Sequence, residues 1–207
     1  MPNRRTLLKG MAASAGFTLL PFGTNVSAVA HEPSPEMVFD DPAAPVLGNP
    51  DGDVTVVEYF DVQCGYCKRD YPMMRDVVAR DGGVKLVMKD WPIFGPVSVF
   101  AAQAMQAAAE LGEYETALDA LMRSQGRLSH EQIEGILTGA GLDMGSLTTA
   151  VVRNEKKISD LLDRNYHQAE AFQFVGTPSF VIGKTIYPGV LNKSLLEEAI
   201  AKARRET

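Results

Sequence analysis

Val54-Thr55-Val56-Val57-Glu58-Tyr59-Phe60-Asp61-Val62-Gln63-Cys64-Gly65-Tyr66-Cys67 is the stretch that decides the fold. Apart from Glu58, its first seven residues are β-branched or aromatic, the composition of a strand packed inside a sheet. A helix is predicted to start near Cys64 and to run to about Arg80. Asp81-Gly82-Gly83 then makes a turn, and residues 84–89 read as a second buried strand. Strand, helix and strand in succession predict an α/β core, with a Cys-x-x-Cys pair where the first strand meets its helix.

Outward from this unit the pattern changes twice. Residues 31–52 are rich in Pro, Asp and Gly and read as an extended lead-in. Residues 96–173 carry only helical periodicity. Phe100, Ala101, Ala104, Ala108 and Leu111 form one apolar face, and Ile158, Leu161, Leu162, Ala169 and Phe172 another. Ser129 and Gln132 have the spacing of a capping box. Strand character returns over 179–182, Gly183-Lys184 turns the chain into a strand over 185–187, and a last helix is expected over 192–204. The expected organisation is a core domain over 53–95 and 174–207, interrupted by a helical domain over 96–173. No internal repeat is visible.

The chain has 207 residues, 45% hydrophobic and 22% charged, enough for a full-sized core and unlike a disordered chain. Its formal charge of −6 argues against a nucleic-acid footprint. Residues 1–30 read as a signal peptide: Arg4, Arg5 and Lys9 form a basic head, an apolar stretch follows, and Ala28-Val29-Ala30 offers a cleavage site. The paired arginines suit twin-arginine export, and ordinary secretion remains the alternative. Without that segment 17 basic residues face 26 acidic ones, a net of −9. The expected location is the periplasm, where disulfides persist.

Cys64 and Cys67 are the only cysteines. A zinc site would need two more ligands, and His31, His130 and His167 have no metal-binding spacing, so no metal is expected. A purely structural disulfide closing so short a loop would be a weak staple. A redox pair fits best. Cys64 at a helix N-terminus meets unpaired backbone N–H groups and the positive end of the helix dipole, which favour its thiolate. Cys67, one turn further on, would be the shielded resolving thiol. Lys68 and Arg69 either add positive potential or are solvated surface. Met73 and Met74 read as helix packing, and His130 and His167 as solvated.

Four features together resemble the DsbA-like branch of the thioredoxin superfamily. They are the strand running into Cys64-Gly65-Tyr66-Cys67, Pro72 within the following helix, the segment Lys89-Asp90-Trp91-Pro92-Ile93-Phe94-Gly95, and Val175-Gly176-Thr177-Pro178-Ser179-Phe180. The resemblance implies a thioredoxin fold with an inserted α-helical domain and a cis Thr177–Pro178 bond that sets the Thr177 backbone beside Cys64. It also implies that Glu58 lies beneath the cysteines and relays a proton to or from Cys67. Lys89 is then either the counter-ion of Glu58 or a side chain that reaches solvent. Tyr66 and Trp91 either line an apolar docking surface or pack. The catalytic set is therefore Cys64, Cys67, Glu58, Thr177 and Pro178, with no cofactor beyond the cysteine pair.

The function implied is exchange of disulfides with unfolded or partly folded cysteine-containing exported proteins, with a membrane redox partner resetting the pair. Gly65-Tyr66 and Thr177 are similar to disulfide isomerases. The lead-in has no helical or heptad pattern for the dimerisation region that those proteins depend on, so a monomeric oxidase is expected. An isomerase or reductase, and a non-catalytic envelope chaperone or binding protein, stay open.

Overall fold

A computed structural model of the chain describes residues 33–206, so the expected signal peptide lies outside the described residues. The lead-in is not simply extended. It holds a five-residue helix, α1 (Pro35–Phe39), and a three-residue strand, β1 (Val46–Gly48). Neither is long enough to show periodicity. Both exist because of what they touch: Val38 enters the core, and β1 pairs along the edge of a sheet.

The predicted strand forms as β2 (Val54–Phe60), followed by α2 (Gly65–Asp81) and β3 (Val84–Asp90), which runs parallel to β2. After a helical stretch the chain returns as β4 (Ser179–Ile182) and β5 (Thr185–Pro188), and ends in α8 (Lys193–Arg205). The sheet order is β1-β3-β2-β4-β5, with β2 and β3 parallel and the other pairs antiparallel. The turn from β4 to β5 uses Gly183 at φ 56°, where a Cβ would also meet Ala203 at 2.9 Å.

The period of two along β2 and β3 sorts the core into two layers. Val54, Val56, Phe60, Leu86 and Met88 pack on one face with Cys64, Cys67, Tyr71 and Met74 of the α2 side. Val57, Tyr59 and Val87 pack on the other with Val38, Leu161, Ala169 and Phe174. Because β2 is covered on both faces, its sequence is mostly apolar rather than alternating, with Glu58 the charged exception.

Between β3 and β4 lie α3 (Pro96–Glu110), α4 (Tyr114–Met122), α5 (His130–Gly139), α6 (Met144–Arg153) and α7 (Glu155–Ala171). The fold is thus a thioredoxin fold with an inserted helical region. Ser129 and Gln132 form the capping box of α5, with both reciprocal hydrogen bonds made. Leu111 departs from the expected apolar face. It falls just past the end of α3, where the periodicity no longer applies, and is exposed.

Candidate active site

The chain between β2 and α2 is held by one buried carboxylate. Asp61 Oδ1 accepts the Gln63 N–H at 2.8 Å, and its Oδ2 accepts the N–H groups of Ile93 and Phe94 at 2.8 and 3.3 Å. The Asp61 carbonyl takes the Cys64 N–H at 2.9 Å. This anchor sets Cys64 at the N-cap of α2, in an extended conformation, where its Sγ accepts the Cys67 N–H at 3.4 Å. The Thr177–Pro178 bond is cis, and the Thr177 carbonyl accepts the Cys64 thiol at 3.2 Å across a separation of 113 residues. Both cysteines are thiols in this structure, 3% and 1% exposed.

Their surroundings split the two thiols apart. Cys64 is pulled from an ordinary 9.0 down to about 6. The hydrogen bond from the Cys67 side chain contributes most, burial opposes it, and the Thr177 hydroxyl and the N–H groups of Cys67 and Tyr66 add to the stabilisation. The Thr177 hydroxyl is buried and has no hydrogen-bond partner among the described residues, so it is free to donate to a thiolate. Burial pushes Cys67 strongly upward instead, helped by its bond to Cys64 and by the Glu58 charge. Near neutral pH these pulls favour the thiolate at Cys64 and the thiol at Cys67.

Glu58 lies on the α2 face of β2, 3% exposed, with Oε2 unpartnered among the described residues. Burial first, and then the charges of Cys64 and Asp70, raise its carboxyl to about 8. Lys89 is neither its counter-ion nor a solvated side chain. In the parallel register Glu58 pairs with Met88, and Lys89 with Tyr59, so Lys89 belongs to the opposite face. There it is 0% exposed, donates to the Met37 carbonyl at 2.9 Å and meets Asp41 at 3.5 Å. Arg164 of α7 also grips Asp41, at 3.1–3.2 Å. Burial lowers Lys89 to about 8.

The remaining candidates separate cleanly. Tyr66 is 59% exposed beside Cys64, with the Arg69 guanidinium 4.9 Å from its ring centre. Trp91 is buried in the second layer against Phe174, so of the two readings it packs. Lys68 is buried and donates to the Gly126 carbonyl at 2.7 Å, while Arg69 is exposed and chelates Asp70. Met74 is buried and Met73 packs against the same core. His130 and His167 are exposed.

Two groups near the site escaped the sequence reading. Gln63 exchanges two hydrogen bonds with the Leu128 backbone, at 2.9 and 3.0 Å, and with Lys68 fastens the α4–α5 loop to the start of α2. Partners 65 residues apart leave no local signal for this. Asp90 is a second buried acid on the Glu58 face, held at Oδ2 by Gln106 and Tyr114 and raised by burial to about 7. Its even position in β3 was the available clue.

A family model described as Thioredoxin matches residues 40–202, and the chain belongs to that family. Its structure is similar to a thioredoxin-like oxidoreductase from Silicibacter pomeroyi, at TM-score 0.79 and 39% identity over 83% of this chain and 98% of that one. It is also similar to the thiol-disulfide exchange protein alpha-DsbA2 of Wolbachia pipientis, at TM-score 0.75 and 25% identity, covering 81% and 90% of the two chains. The catalytic domain of Proteus mirabilis ScsC matches at TM-score 0.69 and 25% identity, over 82% and 94%. Among curated proteins, the Na(+)/H(+) antiporter NhaA 1 of Salinispora arenicola is 27% identical over 162 residues, which are 76% of this chain and 24% of the antiporter. The chain spans about a quarter of the length of such relatives.

Proposed function

We propose that the protein is an exported thiol:disulfide oxidoreductase that forms disulfides in cysteine-containing periplasmic clients. The observation that carries this reading is the opposed pull on the two thiols, Cys64 down to about 6 and Cys67 upward. In the oxidised protein a client thiolate attacks Cys64 Sγ, and the Cys64–Cys67 bond breaks. Cys67 leaves with the electron pair, and neutral Glu58 supplies its proton, directly or through water. A second client thiolate then attacks the client sulfur of the mixed disulfide, and Cys64 departs as a stable thiolate. The client loses two electrons and the protein gains them. A low-pKa leaving thiol and a stabilised reduced form both favour this direction. A membrane partner that accepts two electrons would restore the disulfide. Thr177 and Pro178 would hold the client segment beside Cys64.

Gly65-Tyr66 and Thr177 keep an isomerase as the second reading. Incubation of the oxidised protein with a reduced multi-cysteine client tests the first. The expected result is one client disulfide per protein, none with Cys64→Ala, and faster recovery from reduced than from scrambled client. The reverse order of recovery would make it an isomerase. Undiminished client protection by Cys64→Ala would make it a chaperone. Cell fractionation with and without residues 1–30 tests the export.

A further inference from the structure

A groove of about 460 Å³ opens at Gly65, directly beside Cys64, between α2 and the α4–α5 loop. Its charged lining residues are Lys68, Arg69 and Arg123, all basic, in a chain whose acidic residues outnumber its basic ones. Arg127 follows the groove wall, exposed, 5.4 Å from the Phe94 ring centre and without a carboxylate partner among the described residues. Arg69 spends two of its N–H donors on Asp70, Arg123 one on Asp119, and Lys68 one on Gly126. A guanidinium has five donors, so Arg69 and Arg123 keep most of theirs for a ligand, while buried Lys68 adds positive charge at the groove wall.

We propose that this groove selects clients by charge: it takes an acidic segment lying a few residues to one side of the reacting client cysteine. The inference rests on the thiol-exchange reading above. Gly65, next to Cys64, lines the groove. An extended peptide advances about 3.4 Å per residue, so the groove lies beside side chains a few positions from a cysteine engaged at Cys64. Neither Asp70 nor Asp119 cancels it. Each engages its arginine from outside the lining, and exposed pairs of that kind exchange readily with another carboxylate.

The test measures how fast oxidised full-length protein is reduced by short peptides with one central cysteine. Pairs of Glu, Gln or Lys are placed three and four positions before it or after it. For one of the two placements the Glu peptide is expected to react roughly 3- to 10-fold faster than the Lys peptide at low salt, a difference that fades near 1 M salt. Arg123→Glu, on an exposed side chain, is expected to shrink or invert that ranking. Equal rates for all peptides, or a ranking untouched by both salt and Arg123→Glu, would overturn the proposal and leave the exchange reading standing. No reaction with any peptide would remove both.

Discussion

Replacing Cys67 with alanine removes the largest single contribution to the low pKa of Cys64. The descent from 9.0 to about 6 corresponds to about 4 kcal/mol in favour of the thiolate, net of the opposing burial. A hydrogen bond donated to a charged group contributes about 1.5–3 kcal/mol, or roughly 1–2 pH units. The Cys64 midpoint in Cys67→Ala is therefore expected between about 7 and 8. At pH 7 the thiolate fraction would fall from roughly nine-tenths to between about a half and a tenth. The sign is fixed by the chemistry: loss of a donor to the anion raises the pKa. Thiolate ultraviolet absorbance against pH measures it on reduced protein, and in the parent protein Cys67 does not interfere because it titrates far higher. Cys67→Ser, which keeps a donor, is expected to return most of the way towards 6. A Cys67→Ala midpoint that stays near 6 would refute the reasoning, and would assign the anion to the α2 amides and the Thr177 hydroxyl.

The reduction potential of the pair is expected to fall by about 59 mV per pH unit below pH 6 and by about 30 mV per unit above it, because the reduced form then carries one proton fewer; equilibration with a glutathione series at several pH values checks this. Glu58→Gln is expected to stabilise the reduced protein by about 1–3 kcal/mol at pH 7 while slowing the reduction of the oxidised protein by clients. Here the native carboxyl stays protonated up to about 8 and the unfolded one ionises near 4.5, so in the parent protein stability falls between those values as pH rises. Urea melts across that window should show the fall, and the variant should lack it. Asp41→Asn strands Lys89 as a buried unpaired cation and is expected to cost about 3–5 kcal/mol, whereas Lys89→Met should be near neutral, since Arg164 still pairs with Asp41. Lys89 is lowered to about 8, so its contribution makes the parent protein more stable as pH rises from there towards 10.5. Equal losses in the two variants would contradict this.

The central strand, the helix after it and the returning hairpin were legible because each carries its own signal: β-branched runs, a helical apolar face, and Gly183 at the turn. Cys64 and Cys67 were legible by spacing, and Thr177 and Pro178 by resemblance. What could not be read was set by contacts distant in sequence. The helix α1 and strand β1 exist through packing and edge pairing rather than propensity. The Gln63 clamp on Leu128 joins two segments with no common pattern. Lys89 is different, because its misplacement was avoidable. Once β2 and β3 are taken as parallel neighbours, register and parity put it on the face away from Glu58.

That separation bears directly on the chemistry. A cation beside Glu58 would hold its carboxylate ionised through the neutral range, and an ionised group has no proton to give to a departing Cys67 thiolate. By placing Lys89, Asp41 and Arg164 behind the sheet, the fold leaves Glu58 among apolar side chains and near the Cys64 charge, and both raise its pKa. The same desolvation keeps Cys67 protonated, while the helix terminus and the Cys67 donor keep Cys64 ionised. The site therefore works because, among the described residues, no cation pairs with Glu58. A lysine moved to Met88, in register with Glu58, should ionise that carboxyl at neutral pH and disable proton delivery without touching either cysteine.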